Sequence, residues 1–352
     1  AAASATWDSS RLRSIAFLTS SPDFDVWIDD IRFYTCAADA CLPTCTGDTP
    51  VSCAASGGRP AGCWPKGTDC SSPPDFVNTG IWGTGPSDVW MVGQSTITWA
   101  GAVFHWDGVT WTQIPSGPLP PIWGVWGNGT NDVWAVADHG IVLHKNDSGW
   151  AVSSSDTAGT TGPLSAIWSS GQNDIWVVGG TGIVVHWNGA AWAAAATGTT
   201  SQSLTGVWGS GSHDVWSVGL KGTILHWDGV AWSASPSGSS ADLMDVWGSG
   251  PGDVWAIGRG GTIVHWNGAT WSPSQSNTTI DLMGVWGSGP ADVWVVGQNG
   301  TIRHWDGSAW QGFPSATRQV LNKVWGSGPD DVWAVGSTIL HWDSGAWSAS
   351  PQ

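Results

Sequence analysis

Apolar and polar positions follow one another in short blocks along most of this chain, and no block keeps a helical period for ten residues. The stretch GVWGSGPADVWVVGQNGTIRHWDGSAW, residues 284–310, shows the pattern. An apolar run over 282–286 predicts a first strand, GSGPxD a loop, DVWVVG a second strand and QNG a tight turn. TIRHW predicts a third strand and SAWQGF a fourth, joined at Asp306-Gly307, where both residues tolerate a positive φ.

This four-stranded unit recurs seven times. Its first-strand tryptophan returns at intervals of 39 to 44 residues, at Trp82, Trp126, Trp168, Trp208, Trp247, Trp286 and Trp325. A period near 40 residues with four strands in each unit is typical of a β-propeller blade. The sequence therefore predicts an all-β chain in which residues 78–352 form a seven-bladed propeller of four antiparallel strands per blade.

Tryptophan is the residue that most marks the repeat. Of the 32 tryptophans, 27 occupy repeat positions, and the single vacant position holds Lys145. Blades in a ring pack both faces against their neighbours, and the gaps between them widen outward. A large flat side chain that buries about 150–250 Å² fills such a gap, so we expect these tryptophans between the blades.

The charge of the chain excludes several classes of partner. The formal net charge is −16, with 11 lysines and arginines, and all 27 acidic residues are aspartates. Such an acidic chain is not expected to bind nucleic acid or anionic membranes. Because no apolar run reaches 18 residues, we expect no membrane insertion.

The motifs GTIVHWNGATW (261–271) and FHWDGVTW (104–111) resemble a known repeat. They are similar to the Asp-box, or BNR-type, pattern S-x-D-x-G-x-T-W, although the turn is one residue shorter and His replaces Ser. They also resemble the repeats of photosystem II assembly factor propellers, and the resemblance covers residues 78–350. It implies the propeller fold, which hosts enzymes, lectins and scaffolds alike.

Catalytic chemistry is not expected. The sialidases among Asp-box propellers resemble one another in an arginine triad, a tyrosine nucleophile and a glutamate partner. Here the only tyrosine is Tyr34, outside the predicted ring, and there is no glutamate. No serine nucleophile elbow or phosphate-binding loop is present either. We therefore expect no enzyme, no cofactor and no metal.

The segment before the repeats divides into two parts. Residues 1–35 predict a β-hairpin, and FDVWIDDIRFY (24–34) resembles the end of a jelly-roll carbohydrate-binding domain. Residues 36–77 are rich in Pro, Gly, Thr and Ser and contain no C-x-x-C pair, which argues against a zinc ribbon. They predict a disulfide-stapled linker with fifteen pairings open, through Cys36, Cys41, Cys45, Cys53, Cys63 and Cys70.

One histidine stands on the third strand of every blade: His105, His144, His186, His226, His265, His304 and His341. One histidine per blade is too widely spaced for a shared metal, whose bonds to nitrogen are about 2.0–2.1 Å long. We therefore interpret these histidines as structural. Their expected partners are the aspartates of the GSGPxD motif, Asp88, Asp132, Asp174, Asp214, Asp253, Asp292 and Asp331.

Residues that break the repeat are better candidates for function, because the repeated ones build the ring. Blade 1 has an enlarged connection over 93–102 that contains Trp99, and a Pro-rich connection to blade 2 ends in Trp123. Blade 2 breaks its turn to ADHG, with Asp138 and His139. We interpret these four residues as a ligand-binding site on one rim, where tryptophan rings stack on a sugar. The alternative is that Trp123 plugs the channel mouth and Trp99 packs under its own loop.

A second variable set lies at the start of the innermost strands. Met244, Asp245, Met283 and Lys323 differ from the residues that most other blades carry there. Because the innermost strands line the central channel, we expect these side chains to line it too. They form either a pocket or the wall of a water-filled channel.

Together these patterns predict a secreted or cell-surface, non-enzymatic module that binds extracellular carbohydrate through the rim of blades 1 and 2. The alternative is a structural subunit of an extracellular fibre or surface layer, assembled by strand addition from residues 1–35. The expected partners are an extracellular glycan or protein, and further copies of the chain through residues 1–35.

Overall fold

The computed structural model describes residues 76–115, 118–154, 159–195, 200–343 and 345–350, with two short strands before them. The chain divides into two compact units, Ala1–Lys66 and Gly67–Gln352. No helix within the described residues is long and apolar enough to cross a bilayer.

The first unit contains β1 (Val51–Ser52) and β2 (Cys63–Trp64), which pair antiparallel. The predicted hairpin over residues 1–35 lies outside the described residues. Five of the six cysteines lie outside them as well, and Cys63 is described only as a part of β2. The predicted disulfide-stapled linker therefore has no support from the structure.

The second unit contains seven four-stranded antiparallel sheets, each made of four consecutive strands. These sheets are blade 1, β3 (Phe76–Gly85), β4 (Asp88–Ser95), β5 (Gly101–Trp106) and β6 (Trp111–Ile114); blade 2, β7 (Ile122–Gly129), β8 (Asp132–Ala137), β9 (Val142–Asn146) and β10 (Gly149–Ser154); blade 3, β11 (Leu164–Gly171), β12 (Asp174–Gly179), β13 (Val184–Trp187) and β14 (Trp192–Ala194); blade 4, β15 (Leu204–Gly211), β16 (Asp214–Gly219), β17 (Ile224–Trp227) and β18 (Trp232–Ala234); blade 5, β19 (Leu243–Gly250), β20 (Asp253–Gly258), β21 (Ile263–Trp266) and β22 (Trp271–Pro273); blade 6, β23 (Leu282–Gly289), β24 (Asp292–Gly297), β25 (Ile302–Trp305) and β26 (Trp310–Phe313); and blade 7, β27 (Leu321–Gly328), β28 (Asp331–Gly336), β29 (Ile339–Asp343) and β30 (Ala346–Ala349).

The first strand of each blade contacts the first strands of the two neighbouring blades, and β27 of blade 7 contacts β3 of blade 1. This closes the ring. The prediction of an all-β, seven-bladed propeller with four antiparallel strands per blade is thereby confirmed. The seam between blades 7 and 1 is joined by side chains: Asn78 Nδ2 donates to the Gly336 carbonyl at 3.1 Å, and Asn322 Nδ2 donates to the Asn78 carbonyl at 2.8 Å.

The prediction of a loop at GSGPxD is wrong. In blade 6 the first strand runs on to Gly289 and the second begins at Asp292, so only two residues form the turn. A register shift between Gly287 and Gly289 accommodates the extra residue. Residue 287 must be glycine because the Trp247 ring of the preceding blade packs against it, and a Cβ there would stand 2.7 Å from that ring.

The repeated tryptophans lie between the blades, as predicted. Trp294 of blade 6 is almost fully buried and stacks on His304 of its own blade, with ring centroids 4.1 Å apart. Trp342 and Trp347 of the next blade enclose it, with centroids at 5.0 and 5.4 Å. Equivalent contacts surround the other second-strand tryptophans and continue across the seam between blades 7 and 1.

Lys145, which occupies the one vacant tryptophan position, makes both contacts that a tryptophan makes there, one with a neighbouring indole ring and one with a backbone carbonyl. Its ammonium lies 5.3 Å from the centroid of the Trp90 ring, within the range of a cation–π interaction. It also donates to the Thr130 carbonyl at 2.8 Å. In blade 1 the equivalent Trp106 Nε1 donates to the Pro86 carbonyl at 3.1 Å.

The strand order gives the ring two unlike faces. The aspartate face carries the connections between the first and second strands and between the third and fourth strands. The loop face carries the connections between the second and third strands and between blades. Thirteen of the described aspartates belong to the aspartate face: Asp88, Asp107, Asp132, Asp147, Asp174, Asp214, Asp228, Asp253, Asp292, Asp306, Asp330, Asp331 and Asp343. The loop face carries Asp138, Asp242 and Asp281, whereas Asp245 lies within β19 and lines the central channel.

Candidate functional site

The same polar network recurs in all seven blades on the aspartate side. In each blade, histidine Nε2 lies 2.5–2.7 Å from Oδ1 of the aspartate named from the sequence. The other carboxylate oxygen accepts a hydrogen bond from a serine or threonine at the end of the first strand, or from Asn128 in blade 2. Each histidine ring also stacks on a buried tryptophan. The network ties three strands of one blade together.

Six of the seven network aspartates have pKa values below the usual value of an aspartate. Burial alone would raise the pKa of Asp292, but hydrogen bonds from His304 and Ser288 outweigh it and hold the pKa below its usual value of 3.8. The pKa values of Asp88, Asp174, Asp214, Asp253 and Asp331 are lowered in the same way. No cluster of three or more His, Cys, Asp or Glu side chains that could hold a metal occurs within the described residues.

The enlarged connection of blade 1 lifts two apolar side chains off the loop face. Ile97 is 69% exposed and Trp99 is 62% exposed. Trp99 is therefore not packed under its own loop, which was the alternative left open by the sequence. Ile97 was not among the residues singled out from the sequence, although an isoleucine two residues before Trp99, in the otherwise small or polar stretch QSTITWAGA, was a visible signal.

Ser95 holds this connection in a fixed shape. Its hydroxyl oxygen accepts hydrogen bonds from the backbone N–H groups of Ile97 and Thr98, both at 3.2 Å. Its carbonyl accepts from the Trp99 N–H at 3.0 Å, and its own N–H donates to the Ala100 carbonyl at 2.8 Å. Trp99 has a φ of 58°, a left-handed conformation that a bulky residue adopts only when its surroundings impose it. The exposed tryptophan is thus presented by a rigid turn.

Backbone hydrogen bonds join this turn to blade 2. The Gly101 N–H donates to the Leu119 carbonyl at 2.8 Å, and the Asp138 N–H donates to the Pro121 carbonyl at 3.1 Å. Residue 101 must be glycine, because a Cβ there would stand 2.2 Å from the Pro120 carbonyl oxygen. The structure therefore brings the blade 1 turn, the Pro-rich connection and the blade 2 turn together. We call this surface, from Ile97 to Trp99, Leu119 to Trp123, Asp138 and His139, the rim sector.

The prediction that blade 2 breaks its turn is wrong. Its residues 138–140 form the same short 3₁₀ turn that blades 3 to 6 form at the same place. The middle residue of each turn has a positive φ, which is 62° at His139 and 55° at Lys221. Only the residue types differ in blade 2, because the backbone geometry of the turn leaves its middle side chain free to vary. His139 is exposed at the tip of this turn.

Trp123 and Asp138 bind each other. The indole N–H of the half-buried Trp123 donates to Asp138 Oδ1 at 2.8 Å. Trp123 also lines the central cavity, next to Gly124 and Ser165. Of the four residues that the sequence singled out on this rim, Trp99 and His139 are therefore exposed, whereas Trp123 and Asp138 support the channel mouth.

An ion pair lies in the central channel. Lys323 of blade 7 reaches Asp245 of blade 5, with 2.8 Å between Nζ and Oδ1. Asp245 Oδ2 accepts from the backbone N–H of Val285 in blade 6 at 3.1 Å, so three consecutive blades are linked. Both charged residues line a cavity of about 100 Å³, but Met244 and Met283 do not. Met244 packs against the apolar core of blades 5 and 6 instead.

The chain was compared with known proteins. No protein-family model matches it, and no curated protein matches its sequence. Solved structures do match. YCF48 bound to D1 peptide is 18% identical, with a TM-score of 0.62 over 77% of this chain and 95% of that chain. YCF48 from Cyanidioschyzon merolae is 17% identical, with a TM-score of 0.60 over 77% of this chain and 97% of that chain. At such identity the likeness extends to the fold.

These neighbours agree with the resemblance to photosystem II assembly factor propellers, but they give no support to a jelly-roll remnant in residues 1–35.

The sequence predictions of function, partner and location are wrong. The structural neighbours are YCF48 propellers rather than extracellular lectins or fibre subunits, and one of them is bound to a D1 peptide. The predictions of a carbohydrate-binding module, of an extracellular fibre subunit and of an extracellular or cell-surface location are therefore withdrawn. The prediction of an extracellular glycan partner is wrong as well.

Proposed function

We propose that this propeller is a non-enzymatic module that binds a segment of another protein through the rim sector. The observation that carries the proposal is the rigid presentation of Ile97 and Trp99 to solvent. Among the described tryptophans, Trp99 is the exposed one, whereas the repeated tryptophans lie buried or half-buried in the ring.

Such a tryptophan is suited to anchor a protein partner. Tryptophan is enriched among the few interface residues that contribute most of the binding free energy. A side chain that is already ordered loses little conformational entropy on binding, and the hydrogen bonds of Ser95 impose that order here. The Pro-rich surface of residues 119–121 lies beside the anchor and extends the apolar contact area.

The charge of the chain indicates the chemistry of the partner. With a net charge of −16, the chain attracts cationic segments over a distance, which raises the rate of encounter. Asp138, the acidic residue of the rim sector, adds a local negative charge. We therefore expect a segment that combines basic residues with an apolar side chain for the Trp99 contact. The peptide held by the YCF48 propeller supports a polypeptide ligand for this fold.

The proposal is tested by selecting random peptides displayed on phage against the full chain, then titrating the selected peptides by fluorescence anisotropy. The test variant combines Ile97→Ser with Trp99→Ala. The matched control is Val230→Ser, because Val230 is 84% exposed but lies on the aspartate face. We expect peptides rich in Lys or Arg that bind the wild type and the control equally. They should bind the test variant at least about tenfold more weakly.

Equal binding to all three proteins would show that the selected peptides use another surface, and the rim sector would lose its role. Failure of the wild type to enrich any peptide family would also count against the proposal. Melting temperatures of the three proteins should agree, because the substituted side chains are exposed.

A further inference from the structure

One cavity of the described residues lies on blade 5, away from the rim sector. It is a groove of about 810 Å³. One wall is the connection from blade 4, residues 237–239, and the other is the connection to blade 6, residues 274–279. Ile263, Val264 and Pro273 form its apolar part. Hydroxyl, amide and carbonyl groups dominate the walls, and no lysine or arginine lines the groove.

In blade 6, an arginine of the chain itself extends into the equivalent space. Arg303 stands on the third strand at the position of Val264, one repeat later. Its Nη2 donates to the Asn277 carbonyl at 2.9 Å, in the connection that precedes blade 6. Arg303 has no carboxylate within ion-pair distance among the described residues, so its guanidinium bonds to a backbone carbonyl through Nη2, while its buried Nε has no partner among them.

The strand opposite Arg303 is adapted to the guanidinium. Arg303 pairs with Gly312 across the sheet, and a Cβ on Gly312 would stand 2.7 Å from Arg303 Nη1. In blade 5 the corresponding pair is Val264 with Pro273. The short valine leaves the groove empty, and the ring of Pro273 gives it an apolar side against which a planar guanidinium can lie.

The carbonyl that accepts from Arg303 has a counterpart in the blade 5 groove. Gly238 takes the place of Asn277 one repeat earlier, and both have a left-handed φ, 71° and 56°. Ser237 and Ser276 precede them, and each hydroxyl donates to the carbonyl two residues on. The two turns therefore have the same shape. None of the described residues donates to the Gly238 carbonyl, which leaves it open to a ligand.

We propose that the blade 5 groove binds an arginine side chain of a polypeptide partner, in the manner in which blade 6 binds Arg303. A guanidinium offers five N–H donors in one plane, which suits carbonyl and hydroxyl acceptors better than the compact ammonium of lysine. The net charge of −16 favours a cation. The groove is larger than one guanidinium needs, so residues flanking the arginine also lie in it.

This site is separate from the rim sector, and it stands or falls independently of the proposed function. The test uses isothermal titration of the full chain with N-acetyl-arginine amide. N-acetyl-citrulline amide, of similar shape but uncharged, and N-acetyl-lysine amide serve as comparison ligands. We expect saturable binding of the arginine compound at one site per chain, with both comparison ligands at least about tenfold weaker.

Two variants exchange the properties of the neighbouring blades. The first, Val264→Arg with Pro273→Gly, installs the blade 6 pair in blade 5, so the chain fills its own groove and binding of the arginine compound should disappear. Its matched control is Pro273→Gly alone, which should still bind. Arg303→Val empties the blade 6 groove, so the number of sites should rise from one to two.

Several outcomes overturn the proposal. Binding that does not saturate, equal affinity for citrulline, or unchanged binding by the double variant would each do so. If the double variant fails to fold, as judged by near-ultraviolet circular dichroism, Arg303→Val still decides: a site number that stays at one in a folded protein contradicts the shared groove.

Discussion

The two faces of the ring are built from the same repeat, but the aspartate face is nearly identical in every blade and the loop face is not. On the aspartate face, each blade presents the same histidine–aspartate pair, with Oδ1 bonded at 2.5–2.7 Å and Oδ2 occupied by a neighbouring donor. On the loop face, connections differ in length and residue type from blade to blade. The exposed Trp99, the channel-mouth Trp123 and the open blade 5 groove all lie there.

The difference shows where this fold can change. The histidine–aspartate network is partly buried, and each of its polar groups is bonded to another. It tolerates little substitution, because removing one group leaves another without a hydrogen-bond partner, which costs free energy. Connections on the loop face bear few such constraints, since their turns are held mainly by backbone hydrogen bonds. Substitutions on the two faces should therefore differ sharply in their effect on stability, and four predictions test this.

The largest effect is expected from acid, because it acts on six networks together. Six aspartates have folded-state pKa values below 3.8, so their networks stabilise the fold fully above about pH 4. This contribution is lost as the pH falls through the folded-state values. The urea midpoint should be flat from pH 6 to about 4 and fall steeply below it. A midpoint that stays flat to pH 2.5 would refute this account.

Removal of one stacked tryptophan should have the next largest effect. Trp294→Ala deletes an almost fully buried ring held between His304, Trp342 and Trp347. We expect the free energy of unfolding to fall by about 3–5 kcal/mol, as in other large-to-small core substitutions. Urea titration followed by circular dichroism measures it. A loss below about 1 kcal/mol would mean that the gap between blades closes by repacking.

Loss of a single network carboxylate should cost less. Asp292→Asn removes the charge and leaves either His304 or Ser288 without an acceptor, so we expect a loss of about 1–3 kcal/mol. The matched control is Asp228→Asn on the same face. Asp228 accepts from two turn N–H groups, and Asn267 does the same in blade 5. The control should therefore leave the free energy of unfolding nearly unchanged, and an equal loss in both variants would contradict the distinction.

The smallest effect on stability is expected at the loop face. Trp99→Ala truncates a side chain that is 62% exposed, so the free energy of unfolding should change by less than about 0.5 kcal/mol. The same urea titration used for Trp294→Ala gives the comparison directly. A loss as large as that of Trp294→Ala would place Trp99 in the structural part of the ring.

Much of the fold follows from the sequence, because the same pattern of strands, turns and tryptophans recurs in every blade. The period of the tryptophans predicts seven blades, and the spacing of His304 and Asp292 predicts their pairing. The prediction of a loop at GSGPxD fails for a physical reason. The glycines there mark a register shift and the close approach of Trp247 to Gly287, rather than an end of the strands.

The candidate sites are less predictable, because they depend on contacts between blades. That Trp123 binds Asp138, and that Lys323 pairs with Asp245 two blades away, cannot be read from either residue alone. The blade 5 groove was missed for the same reason. Its signal is visible only by comparison, as the charged Arg303 opposite Gly312 in a column of otherwise apolar residues. The ligand class also lay beyond the sequence, since the propeller fold serves many functions.

The seam between blades 7 and 1 has a consequence for how such a ring arises and how it can be rearranged. Every blade is hydrogen-bonded from four consecutive strands, so no sheet contains both ends of the ring. A unit of about 40 residues can thus be duplicated or deleted without splitting a sheet. A circular permutant that opens between any two blades also keeps all seven sheets whole. Each blade of the ring is thus a complete sheet by itself. The last blade is joined to the first by Asn78, Asn322 and the tryptophans around Trp333.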